Sequence, residues 1–163
     1  MRVIKIFLVS VVALSACVTP GPRVPAPATV ADGLNLNLND ADRRRVEELA
    51  VQLIQADTSN PPGNEAAAVA VLKKFFDEEG VSNTVYAVPG MPGRPVLIAK
   101  VLPKRQHKRP VVLLAHTDVV PADGGEWTNG VLPFSGRTQD GYLWGRGALD
   151  MKGMLAAEAM AMV

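Results

Sequence analysis

"LWGRGALDMKG", residues 143–153, places Gly145, Gly147, Gly153, Arg146, Asp150 and Lys152 within eleven residues. Glycine adopts backbone angles that other residues avoid and lets chain segments approach closely, so the pair flanking Arg146 marks a tight bend. An aspartate held in such a bend can turn both carboxylate oxygens onto one point, which is what bridging two metal ions requires. The same residue can equally serve as a helix cap at a turn. From Gly153 the chain reads "GMLAAEAMAMV", whose small and methionine-rich composition favours a helix packed tightly inside a domain.

Upstream of this bend lies "LLAHTDVVPA" (113–122). The run "PVVLLAH" (110–116) is nearly continuous in apolar residues, which suits a strand covered on both faces. "VSNTVYAV" (81–88) and "VLIAKVL" (96–102) read as two further strands, separated by the loop "PGMPGRP" and followed by the basic turn "PKRQHKR". Two helices precede them. The first starts near Asp40, capped by Asn39 or Asp40, with Val46, Leu49, Ala50, Leu53 and Ile54 recurring at helical spacing. "DTSNPPGNE" (57–65) breaks it, because Pro61 and Pro62 cannot continue a helix. Asn64 then caps a second helix with Glu65 in its first turn, a buried stripe of Val69, Leu72, Phe75 and Phe76, and Gly80 at its end. Two helices, a mixed sheet and a final helix make an α/β fold.

His116 stands at the end of the last strand. Residues two apart on a strand point the same way, so Asp118 lies beside it. An imidazole that binds a metal needs its second nitrogen held, commonly by a carboxylate, to fix tautomer and direction. The His-x-Asp pattern alone is common, and a strand-end histidine is often simply hydrogen-bonded in place. His107, in the basic turn, reads as a solvated loop residue. Trp127 and Phe134 read as packing residues.

The chain has 163 residues, enough for one domain with a core, and a net charge of +1, which creates no field selecting nucleic acid or an acidic partner. Its single cysteine, Cys17, excludes an internal disulfide. "MRVIKIFLVSVVALSAC" opens with Arg2 and Lys5, and its apolar run from Ile6 to Leu14 is too short to span a bilayer but has the size of a signal-peptide core. "LSAC" resembles the bacterial lipoprotein box. That resemblance implies a signal peptide over residues 1–16 and a lipidated Cys17 that anchors the protein to a membrane. Val18 in place of an aspartate then implies the outer membrane, facing the periplasm, as its place in the bacterial cell envelope. Residues 17–39 read as the lipidated cysteine and a disordered, proline-rich tether, and 40–163 as the domain.

Taken together, "HTDVVPA", "EWTNGVLPFSG" and "DGYLWGRGALDMKG", with the upstream "DTSNPPGNE", resemble a family of co-catalytic zinc metallopeptidases. It includes glutamate carboxypeptidase, yeast carboxypeptidase S, aminoacylase-1 and succinyl-diaminopimelate desuccinylase. The resemblance covers roughly residues 40 to 163, with several separated motifs in the family's order. It implies that His116 is a zinc ligand, that Asp118 is the catalytic aspartate orienting it, and that Asp150 bridges two zinc ions, for which cobalt or manganese could substitute. The Asp150–Met151 peptide sits where the family carries a cis bond. The implied substrate is a small peptide or an N-acyl amino acid, cleaved at an amide bond in carboxypeptidase fashion. A deacylase or desuccinylase of the same family is the alternative, and a non-catalytic surface lipoprotein the rival from another class.

The family pattern also calls for a Glu-Glu pair, general base and zinc ligand, some thirty residues beyond the bridging aspartate. The given sequence continues thirteen residues past Asp150, and Glu158 falls too early for either role. The expectation is therefore the N-terminal part of a truncated catalytic domain, inactive by itself. The general base, the lid domain and any homodimer formed through that domain lie outside it.

Overall fold

The computed structural model describes residues 39–105, 109–127 and 130–163. The expected signal peptide, lipidated Cys17, nearly all of the tether and the basic-turn His107 lie outside the described residues.

Helix α1 spans Asp40–Gln55 and begins where Asn39 accepts a hydrogen bond from the Asp42 amide at 2.9 Å. The side-chain oxygen satisfies an amide that has no partner within the helix, and Asp40 and Asp42 complement the positive end of the helix dipole. Its buried residues are Leu49, Ala50, Leu53 and Ile54, the stripe expected from helical spacing. Helix α2 spans Glu65–Glu78 and buries Ala68, Val69, Leu72 and Phe76. Asn64 precedes it but makes no capping bond; its amide donates instead to the Asp57 carbonyl at 3.3 Å. Gly80, at φ +68°, ends α2 in the left-handed conformation that glycine tolerates. Helix α3, Gly153–Met160, contributes Ala156 and Ala159 to the same interior. Leu49, Leu53, Leu72, Phe76, Ala156 and Ala159 therefore form one helical core, and the alanines of α3 let it lie close to α1.

Strands β1 (Ser82–Tyr86) and β2 (Val96–Lys100) pair antiparallel, with Thr84 opposite Ile98, and lay Leu97 and Ala99 against the helices. Strands β3 (Arg137–Gln139) and β4 (Tyr142–Trp144) form a second hairpin. Its two-residue turn, Asp140–Gly141, has both φ values positive, at 54° and 80°, as the twist of a tight hairpin demands.

The α/β class holds, but two sheet expectations need correction. The described residues form two separate antiparallel hairpins in place of one mixed sheet. The run at 110–116 joins no ladder, and Val111, Val112 and Leu114 are 74, 78 and 84% exposed. A strand buried on both faces needs neighbours on both sides. Here β1 and β2 pair with each other, and the one parallel link nearby is a single bridge from Ser59 to Val119. Among the described residues no helix is long and apolar enough to cross a membrane.

Candidate functional site

The missing ladder raises the question of what holds His116 in place. The answer is the proline loop that leaves α1. Fully buried Thr58 donates its hydroxyl to the Thr117 carbonyl at 2.6 Å. The Val119 amide donates to the Thr58 carbonyl at 3.2 Å, and the Asn60 amide to the Val119 carbonyl at 2.9 Å. These bonds lace residues 58–60 to 117–119, so His-Thr-Asp is fixed by a loop rather than by a sheet.

Asp150 is placed by the glycine bend. A β-carbon on Gly145 would fall inside the van der Waals envelope of Ile54 Cγ2, and Gly147 sits at φ +81° with Val119 Cγ1 over its open face. The expected close approach and tight bend are thus divided between the two glycines. The Lys152 amide closes a wide turn onto the Gly147 carbonyl at 2.8 Å, and the Asp150–Met151 peptide within that turn is cis.

The two stretches, 34 residues apart, meet with His116 Nε2 at 3.0 Å from Asp150 Oδ1. On the other side of the ring, Nδ1 lies 3.0 Å from the Asp118 carbonyl oxygen and 3.2 Å from Asp118 Oδ1. Both of those are acceptors, so Nδ1 carries the proton, an assignment made from its partners. In the neutral ring Nε2 is then a lone pair facing a carboxylate oxygen. Two acceptors this close require a proton or a cation between them. The ring's ionisation reflects this. Partial burial pulls it down, but the hydrogen bond to Asp150 and the nearness of Asp118 outweigh that, holding it above the ordinary imidazole value. Asp118 is held below the usual carboxylate range, first by the hydrogen bond from Asn60 Nδ2 at 2.9 Å and then, against some desolvation, by His116 and Arg94.

The donor pair suits a metal ion. Zinc bonds of about 2.0–2.2 Å to nitrogen and oxygen in tetrahedral geometry place two donors roughly 3.3 Å apart, close to the spacing found. The set is incomplete among the described residues, where no three His, Cys, Asp or Glu side chains converge on one point. An open cleft of about 440 Å³ runs over the pair, bounded by Asn60, Asp118, Arg146 and Leu149.

Residues 112–163, which carry His116, Asp118 and Asp150, match the family described as peptidase family M20/M25/M40. The match covers about a third of the chain and is a likeness to that family. The chain is also similar to proteins named succinyl-diaminopimelate desuccinylase. It is 35% identical to that of Nitrobacter hamburgensis over 116 residues, covering 69% of this chain and 28% of the relative. It is 39% identical to that of Methylorubrum extorquens strain PA1 over 112 residues, covering 66% and 27%. To that of a Psychrobacter species it is 32% identical over 126 residues, covering 70% and 28%. The chain spans just over a quarter of the length of these relatives.

Outside residues 112–163, three polar residues contact the site or its support without a site role read from sequence: Asn60, Glu65 and Arg94. "DTSNPPGNE" reads as a helix breaker and resembles a family element. The available clue was its density of hydrogen-bonding side chains in a loop that cannot form secondary structure. Within the segment, Lys152 is fully buried, which its charge would not suggest. Phe134 and Trp127 are half-buried, as side chains that pack rather than project. Glu158 lies on α3, where partial burial disfavours the carboxylate and pushes its pKa up.

Proposed function

We propose that this chain belongs to a zinc-dependent hydrolase that cleaves amide bonds in N-acyl amino acids or small peptides. In it, His116 and Asp150 hold metal and Asp118 orients His116. The observation that carries the reading is the facing of His116 Nε2 and Asp150 Oδ1 at 3.0 Å, two acceptors that only a proton or a cation can reconcile. Asp118 accepts a hydrogen bond from the Nδ1–H, which directs the Nε2 lone pair into the cleft. Asp150, with a side chain 85% exposed, has its second oxygen free for a neighbouring cation, the arrangement a bridging carboxylate needs. When bound, zinc would supply Lewis acidity at neutral pH. The general-base glutamate is assigned to no residue of this chain. The name shared by the relatives supports an N-acyl amino acid as substrate over the peptide of a carboxypeptidase. The lipid-anchored, envelope-facing placement through Cys17 stands as a further part of the proposal, motivated by "LSAC".

Zinc competition against a chromophoric chelator tests the site. The wild-type chain should bind zinc, and His116→Ala or Asp150→Ala should abolish that binding while the fold, read by circular dichroism, persists. Wild-type zinc affinity in both variants would remove the assignment. Comparing N-succinyl amino acids with dipeptides as substrates of the intact enzyme separates the two substrate classes.

A further inference from the structure

Asp118 is not left to orient His116 unaided. Its Oδ2 accepts from Asn60 Nδ2 at 2.9 Å and lies 3.8 Å from a terminal nitrogen of Arg94. The same Arg94 nitrogen is 2.7 Å from Oε1 of Glu65, a carboxylate only 6% exposed at the start of α2. Gly63, at φ +90°, gives this ion pair its room: a β-carbon there would approach Glu65 Oε2 to 2.9 Å and Arg94 Nε to 3.1 Å. The Ala66 amide donates to the Gly93 carbonyl at 2.9 Å, tying the Arg94 loop to the first turn of α2.

We propose that Asn60 and Arg94 are positioning residues that act on His116 through Asp118, with Glu65 holding Arg94 in place. The argument is geometric. A carboxylate can rotate about its own side-chain bonds, and Asp118 is one-third exposed, so burial alone does not fix it. The Asn60 amide donated to Oδ2, with the positive Arg94 guanidinium 3.8 Å from the same oxygen, leaves Oδ1 facing His116 Nδ1. The imidazole then has one proton address and one lone-pair direction. An outer layer of hydrogen bonds around a histidine ligand commonly sets its affinity for a metal. Glu65 explains why an arginine fills this place. A buried carboxylate needs a cation, and a guanidinium can serve one carboxylate while lying beside a second. The ordering thus runs from α2 through Glu65 and Arg94 to Asp118 and on to His116. The inference rests on the functional reading above only for the purpose of the Nε2 lone pair.

The test uses the full chain with 15N-labelled histidine, at an alkaline pH where imidazole is neutral and without metal. The His107→Gln variant assigns the two ring signals. The wild type should show His116 as a single tautomer protonated at Nδ1, with the 85%-exposed Asp150 carboxylate turned into solvent once the ring is neutral. Asn60→Ala should mix the tautomers and weaken zinc binding about 10-fold, and Asn60→Ala combined with Arg94→Gln should approach about 100-fold. A merely structural role predicts lower thermal stability with both readouts unchanged. A folded Asn60→Ala that keeps the wild-type tautomer and zinc affinity therefore overturns the proposal. Should Asn60→Ala fail to fold, Arg94→Gln alone carries the same two readouts from the other side of Asp118. A wild-type chain that binds no zinc would end the functional reading, whereas the metal-free ring signal would still decide this one.

Discussion

Lys152 Nζ donates to the carbonyl of Ala56, 96 residues away, at 2.7 Å. Ala56 is the residue that closes α1, so the ammonium sits at the negative end of the helix dipole, and its stem passes over Gly147. The contact ties the bend that carries Asp150 to the end of α1, from which the loop supporting Asp118 departs. A charged group so placed is costly. Desolvation lowers the Lys152 ionisation to about 8 from 10.5, although Asp57 nearby pulls it back upward.

A pH dependence of stability follows. With the folded value below the unfolded one, both states are charged under pH 8, and the desolvation cost is then present in full. Between about 8 and 10.5 the unfolded chain holds a proton that the folded chain has released, so stability rises with pH. One proton corresponds to a slope of about 1.4 kcal/mol per pH unit at most. Urea melts of the wild type and of Lys152→Met across that range should differ in slope by up to this amount, the variant being flatter. Equal slopes would mean that the ammonium is solvated in the folded chain.

The glycines of the bend make a separate prediction. Gly145→Ala drives a methyl into Ile54, a side chain with no exposure, and overpacking of this kind costs about 1–3 kcal/mol. Gly147→Ala meets Val119 and also forces a left-handed backbone on alanine, which adds about 1–2 kcal/mol. Gly141→Ala shares the positive φ, at 80°, but meets nothing within 4 Å. The loss of stability in denaturant melts should therefore rank Gly147 above Gly145 and Gly145 above Gly141. A Gly147→Ala variant as stable as Gly141→Ala would show that the bend can relax away from Val119.

The helices were legible from sequence because their cues are local. The Asn39 cap, the Leu49–Ile54 stripe and the Gly80 stop each act within a turn or two of the chain. His116 and Asp118 lie side by side as a two-residue spacing suggests, although the strand invoked for it joins no ladder and the loop at 58–60 holds the pair instead. The meeting of His116 with Asp150 was not derivable from spacing and entered only through resemblance, because it depends on how two loops fold together. The run at 110–116 shows the opposite failure. Its apolar content satisfied every local criterion for a strand, yet a ladder is a relation between segments, and no described neighbour supplies the other half. Lys152 was illegible because nothing in its surroundings along the chain announces that a carbonyl at the end of α1 awaits it.

The amino-terminal segment makes a prediction independent of the fold. If "LSAC" is a lipoprotein box, the thiol of Cys17 carries lipid and the signal peptide is cut before it, and the protein partitions with membranes in a bacterial host. Cys17→Ser should abolish palmitate labelling and move the protein to the soluble fraction. Unchanged membrane association in that variant would show that another segment anchors it.

Asp118→Asn is the sharpest probe of the site, because it keeps the shape and changes only what the two oxygens can do. At present Oδ2 accepts from Asn60 and Oδ1 faces the His116 Nδ1 proton, so both positions must be acceptors. A carboxamide offers one acceptor and one donor. Whichever way it turns, a donor meets either Asn60 or His116, and one of the two bonds is lost. Turning the donor to Asn60 breaks the support; turning it to His116 breaks the orientation and favours the tautomer with Nε2 protonated. Zinc affinity should then fall about 10–100-fold, the usual consequence of losing an outer-layer partner of a metal-binding histidine, and Asp118→Ala should fall in the same range. Competition with a chelator at fixed pH measures both. If Asp118→Asn bound zinc as tightly as the wild type, the negative charge and paired acceptors of Asp118 would have no part in directing His116.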